Sequence, residues 1–278
     1  HESLAAGLLC GFFAPKFLKD YATERARLSK LRSEQNGLLD TTIVPRKLVA
    51  KKGPITSLQE IIDSALLLAH ENPLPTIAVV GADNEHALQA VKFANEAGPW
   101  PLSRFLLFGK GEEIAHLAHE VGLVIDNDLV SAVDTSDPVG EAVKSIADGR
   151  ANIVLKGLVQ TADLLRGILR HMKDSGKLQK GQVLSHVAIM DLPRRNKLMA
   201  MSDAAVNTYP TVEQRIQMTE NALKVVHNLN IAKPKVAIMS SVEVYNDKML
   251  SSIEGKQIAD AFIGREDCIV EGPLSFDV

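Results

Sequence analysis

Cysteine is scarce in this 278-residue chain: Cys10 and Cys268 are the two, with no CxxC spacing and no histidine pair beside them. That excludes a disulfide framework and a zinc finger, and leaves two thiols in a reducing compartment as the expectation. A basic excess is missing as well. With 31 Lys and Arg against 34 Asp and Glu, the formal net charge is -3. The chain therefore lacks the phosphate-neutralising surface that nucleic acid requires, and any anion site must be local. Long apolar runs are absent too. LAAGLLCGFFAP, ending at Pro15, is the longest near the start, well short of the ~20 residues a bilayer demands. No basic segment precedes it, so a signal core is not supported and a cytoplasmic protein without a membrane partner is expected. Neither GxxxxGK[ST] nor GxGxxG occurs. No carboxylate set suits a divalent metal, and neither a repeat nor a low-complexity tract is present.

What is present is an apolar fraction of 46% with 23% charged residues, enough for one large core or two smaller ones. Residues 16–36 mix charge with Leu and Phe at helical spacing, and 40–54 hold Pro45, Gly53, Pro54 and a run of lysines and arginines, which predicts a helix and then a linker. From residue 55 the pattern changes. ITSLQEIIDSALLLA opens on Ser57 with Glu60 three residues later, a capping box. Apolar strands then alternate with helices: TIAVVG, 84–97, RFLLFG, 112–122, LVIDN, 138–148, ANIVLKG and 161–173. Such alternation predicts a parallel sheet covered on both faces.

Beyond it come VLSHVAIMDLP and KLMAMSDAAVN, joined by a short RRN turn as an antiparallel pair. A helix at 211–229, KVAIMSS, a helix near 250–262 and CIVEGPLSF follow. The expected domains are an N-terminal extension and linker at 1–54, a first α/β domain at 55–157 and a second at 158–278, with a cleft between the two. The chain opens on His1 and closes on an apolar, strand-like EGPLSFDV; a piece of a longer polypeptide is expected.

Chemistry concentrates where strands end. LKGLVQTADLLRGIL sets Lys156 at the carboxyl end of a buried strand and Thr161 in the first turn of the next helix. A helix amino terminus carries unpaired N–H groups and partial positive charge, a natural seat for an oxyanion or phosphate. Arg166 lies five residues on, about 140° around the helix, with a side chain long enough to reach back. The plainer alternative makes Thr161 a cap and Arg166 a surface ion-pair donor. Ser185 and His186 are neighbours in a strand and point to opposite faces, so they do not form a nucleophile–base pair. Asp203 and Asn207 bracket a strand end, either as loop-holding turns or as cleft-lining groups. Ser240, Ser241 and Glu243 follow another strand, where small hydroxyls suit close approach of a ligand or simply start a turn. Gly272 and Pro273 predict a kink or bulge.

Taken together, LKGLVQTADLLRGIL, LSHVAIMDLP, MSDAAVNTYP, ENALKVV, PKVAIMSSVE and EGPLSFD, in this order, resemble the phosphate acetyl/butyryltransferase family over roughly residues 55–278. The resemblance implies an acyltransferase that exchanges CoA and inorganic phosphate on a short acyl group, giving acyl phosphate. No cofactor is implied beyond CoA as substrate. It also implies two α/β/α domains around a central cleft, similar to the isocitrate and isopropylmalate dehydrogenase fold, and a homodimer. By position, Arg166 and Thr161 carry the catalytic roles. Lys156, Gly157, Ser185, His186, Asp203, Asn207, Ser240, Ser241 and Glu243 line the CoA and substrate site. The family continues past GPLxFD with a final portion of the first domain, holding a serine–arginine segment and, in the acetyl branch, an aspartate base; that portion is not in this sequence. SHV and DAAVN lean toward the butyryl branch. The alternative is a non-catalytic acyl-CoA-binding or regulatory module of a longer polypeptide, and an NAD-linked decarboxylating dehydrogenase is disfavoured for want of its motifs.

Overall fold

The structure is a computed structural model, and it describes residues 52–275 apart from Ala97, 176–181 and Ala204. The expected helix at 16–36 and most of the expected linker lie outside the described residues. Helix α1 (Leu58–Glu71) starts where the capping pattern predicts, with Ser57 Oγ accepting from Glu60 N at 3.2 Å. The returning carboxylate reaches one residue further back than a standard box, accepting from Thr56 N at 2.7 Å.

Four parallel strands follow, each leading into a helix: β1 (Thr76–Val80), α2 (Glu85–Asn95), β2 (Arg104–Gly109), α3 (Gly111–Val121), β3 (Val130–Asp134), α4 (Pro138–Ala147), β4 (Ile153–Lys156) and α5 (Thr161–Asp174). Their order in the sheet is β3-β2-β1-β4. Because successive side chains alternate between faces, a run of apolar residues fills two cores at once. Val79 packs with Leu88, Val91, Phe105, Leu107 and Ile114 under α2 and α3. Ala78 and Val80 pack with Phe108, Val143, Leu164 and Ile168 under α4 and α5. Each such fully buried aliphatic or aromatic side chain contributes about 1.5–3 kcal/mol.

LVIDN, expected as a strand, is instead the loop before β3. Asp126 Oδ1 accepts from the N–H groups of Asp128, Leu129 and Val130 at 2.8–3.1 Å, and Asn127 sits at φ 64°. A carboxylate that satisfies three successive amides holds them in a turn and displaces the strand to VSAVD.

The second half holds an antiparallel hairpin, β5 (Ala188–Leu192) and β6 (Lys197–Met201), then α6 (Val212–His227), β7 (Lys235–Met239), α7 (Leu250–Asp260) and β8 (Ile269–Leu274). A short 3-10 turn, Pro193–Arg195, joins the hairpin strands, with Asn196 at φ 47°. Strands β7 and β8 pair in parallel, with an irregularity that brings Met239 opposite Leu274 where the Gly-Pro pair sits, as expected. Leu223, Ile238, Ile258, Phe262 and Cys268 form the core between these strands and α6 and α7.

Two compact units divide the described chain, 65–175 in one and 52–64 with 182–275 in the other. The expected border at 157 moves because the inward face of α5, Leu164 and Ile168, is buried on the first sheet. Residues 55–64, expected in the first domain, join the second unit through Ile55 N to Leu229 O at 2.9 Å and Leu58 N to Asp191 Oδ2 at 3.3 Å.

Candidate functional site

In the first unit, strand order runs from β1 outward through β2 to β3, and then β4 is laid on the other side of β1. This reversal makes the β1–β4 boundary the topological switch point, where open α/β sheets take ligands at the carboxyl ends of their strands. The two loops leaving it run against each other. Gly157 N donates to Val80 O at 2.8 Å, and Leu158 N donates to Gly81 O at 2.9 Å. A Cβ at Gly157 would stand 2.3 Å from Gly81 O, so only glycine permits the approach. Helix α5 then begins with Gln160 in an extended conformation and no side-chain cap, which leaves its first amides to other partners. Lys156 and Thr161 are both half-buried beside this start, and the Lys156 ammonium lies 3.3 Å from Gly157 O.

Lys156, Gly157 and Thr161 are thus brought together. Arg166 is placed differently from the expectation that it reaches back to the helix start: its guanidinium contacts Asp163 Oδ1 at 2.8 Å, and the side chain is 70% exposed. Asp163, three residues earlier, shares its face, while Leu164 and Ile168 take the inward one.

Residues of the second unit form a hydrogen-bonded knot. Asp203 accepts from His186 N at 3.0 Å, Ala205 N at 2.8 Å, Val206 N at 2.9 Å and Asn207 Nδ2 at 2.7 Å. Burial pushes its carboxyl upward, but these donors outweigh that and hold it below the usual carboxylate range. Asn207 also donates to Leu184 O at 2.8 Å. Asn221, on α6, donates to Val183 O at 3.1 Å and to Ser185 Oγ at 2.9 Å. Ser185, His186, Asp203 and Asn207 are therefore neighbours, as two rather distant segments of sequence did not reveal. Asn221 lies within ENALKVV but was not singled out, because a mid-helix asparagine gives no local sign of the partner it meets 36 residues away.

Ser240 is tied into the fold: its N donates to Leu274 O at 2.7 Å, and its hydroxyl lies 3.0 Å from that of Ser251. Ser241 and Glu243 are exposed on the following loop. Among the described residues no three His, Cys, Asp or Glu side chains gather as a metal would need, and no helix is long and apolar enough to cross a membrane.

The family described as Phosphate acetyl/butaryl transferase matches residues 73–278. This chain belongs to the phosphate acetyl/butyryltransferase family. It is 33% identical over 227 residues to the phosphate butyryltransferase of Clostridium acetobutylicum, covering 81% of this chain and 72% of that one. With the phosphate butyryltransferase of Clostridium beijerinckii it shares 33% over 218 residues, 77% of this chain and 70% of the relative. Among solved structures, a branched-chain phosphotransacylase from Enterococcus faecalis superposes with a TM-score of 0.62 at 33% identity, over 73% of this chain and 70% of that one. The mixed α/β chain with its parallel sheet thus has a phosphotransacylase as a structural neighbour.

Proposed function

We propose that this chain exchanges CoA and inorganic phosphate on a short acyl group. The family match over 73–278 carries the reading, and the switch point with Lys156, Gly157 and Thr161 at the start of an uncapped helix supports it. In the direction of acyl-CoA synthesis the CoA thiol loses its proton to a base, and the thiolate sulfur adds to the acyl carbonyl of an acyl phosphate. The carbon–oxygen bond to phosphate then breaks, giving acyl-CoA and inorganic phosphate. Charge develops first on the carbonyl oxygen and then on the leaving phosphate. The α5 amides, the Thr161 hydroxyl and the Lys156 ammonium answer that charge in our reading.

Arg166 joins them by exchanging its carboxylate partner. An exposed ion pair of this kind is worth only about 0–1 kcal/mol, so a phosphate dianion competes for the guanidinium at little cost. Ser185, His186, Asp203 and Asn207 shape the CoA side, with Ser241 and Glu243 on the neighbouring loop and Ser240 as its anchor. The full reading includes two α/β/α domains around a cleft in the manner of the isocitrate dehydrogenases, a homodimer, a cytoplasmic location and no cofactor beyond CoA as substrate. The names of the relatives support a four-carbon or branched acyl group.

Release of CoA thiol from butyryl-CoA upon addition of phosphate, followed on the full natural chain with acetyl, butyryl and isobutyryl substrates, tests this. Turnover on none of the three would overturn it. The outward Arg166 favours a second reading, a CoA-binding regulatory module without turnover; calorimetric CoA binding by an inactive full chain would select it.

A further inference from the structure

The loop from Ser240 to Met249 joins the carboxyl end of β7 to α7 and carries apolar side chains that solvent does not favour: Val244 is 77% exposed and Tyr245 50% exposed. Its backbone is nonetheless fixed. Asn246 N donates to the Oγ of buried Ser252 at 2.8 Å, Lys248 N to Asn246 Oδ1 at 2.9 Å, and Met249 N to Asn246 O at 3.1 Å. The Arg215–Glu254 pair, 3.1 Å apart, ties the first turn of α6 to α7 behind it. Apolar surface displayed on a fixed backbone costs little ordering entropy when a ligand covers it. Residues Val242 to Asp247 bound a concavity of about 730 Å³, within the ~300–1,000 Å³ of small-molecule sites.

The chemistry of this concavity is selective. An aromatic ring and two valines offer a flat apolar support, while the Glu243 and Asp247 carboxylates and the Asn246 amide stand beside it. Two carboxylates repel a pyrophosphate but accept hydrogen bonds from an exocyclic amine. They also disfavour a symmetric contact with a second copy, which would bring the same two carboxylates of each chain together. The occupant that matches is an uncharged aromatic base bearing an amino group.

We propose that residues 242–247 are the platform for the adenine of CoA, with Tyr245 stacked on the base, Val244 against its edge and the carboxylates on its amine. This rests on the acyl-exchange reading, which supplies CoA as the substrate, and it deepens that reading by dividing CoA recognition. The base is held at the β7 loop, and the reactive end is held elsewhere.

The test compares CoA with pantetheine, which carries the same thiol without the nucleotide, as acceptors for the full natural chain and its Tyr245→Ala and Tyr245→Phe variants. Stacking of a base on an aromatic ring makes a rise of about tenfold or more in KM for CoA the expected result of Tyr245→Ala. KM for pantetheine should change by less than about twofold, and Tyr245→Phe should restore the value for CoA. An equal rise for both thiols, or none for CoA, overturns the proposal. So does conversion of a dimer to a monomer by Tyr245→Ala in sedimentation, which would assign the patch to a second copy. If the wild type turns over neither thiol, the exchange reading fails separately. Calorimetry with adenosine 3′,5′-bisphosphate then decides the platform: binding weakened about tenfold by Tyr245→Ala sustains it, and no binding by the wild type overturns it.

Discussion

The Arg166 guanidinium is held by the Asp163 carboxylate one helical turn earlier, at 2.8 Å and largely in solvent. An arrangement so exposed contributes little to folding, yet it fixes where a mobile cation waits near the start of α5. Arg166→Ala should therefore leave the urea midpoint nearly unchanged while lowering kcat/KM for acyl phosphate by about 100-fold or more, the usual scale for losing an oxyanion donor. Asp163→Asn should release the guanidinium and lower KM for phosphate. Steady-state kinetics beside denaturant titration separates the two effects, and unchanged kinetics in Arg166→Ala would return that residue to a purely surface role.

Gly157 makes the opposite prediction. A methyl there meets Gly81 O at 2.3 Å and Val80 O at 2.8 Å, both backbone atoms that cannot swing away. Overpacking of this kind costs about 1–3 kcal/mol, and here the relief must come from parting the β1 and β4 loops. Gly157→Ala should lower the urea midpoint and weaken phosphate use together. The same substitution at Gly98 would press on the Leu66 side chain rather than on backbone, so it serves as a milder comparison.

The sequence exposed what depends on period and on local chemistry. The alternation of buried strands with amphipathic helices is local, so the parallel sheet and its helices were legible, as was the capping of α1 by Ser57. LVIDN misled because Leu123 is buried and Ile125 packs against the first core, although Val124 faces solvent, while the Asp126 turn that rules out a strand depends on hydrogen bonds that periodicity ignores. The domain border was misplaced for a related reason: a strand end resembles a boundary, but Leu164 and Ile168 on the next helix still belong to the sheet behind it. At the site, Lys156 and Thr161 could be paired because the βα connection is short. The direction of Arg166 depended on which neighbour on its own face it met, and spacing allowed both outcomes. The knot around Asp203 joins 183–186 to 203–207 and 221, and no single-sequence pattern encodes a contact across that interval.

Arg265 stands at the centre of an ionic cluster in the second unit. It holds Asp267 in a two-pronged pair at 2.8 and 2.6 Å and also contacts Glu220 on α6. The Arg265 hydrogen bonds lead the causes that hold the Asp267 carboxyl far below its usual range, against an upward push from burial. Asp267→Asn should lower the denaturant midpoint at neutral pH, in contrast to Asp163→Asn. The difference from wild type should shrink in strong acid, where the unfolded carboxyl is already protonated. Equal midpoints for Asp267→Asn and wild type at pH 7 would show that the pair adds nothing.

Asp203 ties its pH dependence to the proposed CoA side. Its folded carboxyl titrates below the usual value, so the unfolded chain binds the proton more readily. The resulting stabilisation is complete above the unfolded value of about 3.9 and is lost as pH falls through the lower folded value. In Asp203→Asn the new amide turns a donor toward groups that are themselves donors, His186 N and Asn207 Nδ2. Leaving such a half-buried donor unsatisfied costs about 1–3 kcal/mol. Urea unfolding at pH 7 should show that loss, and at pH 3 the gap should narrow. Because the same bonds place Asn207 and the His186 backbone, KM for CoA should rise with little change in KM for phosphate. A gap that stays constant from pH 7 to pH 3 would mean that the ionised carboxylate is not what holds the knot.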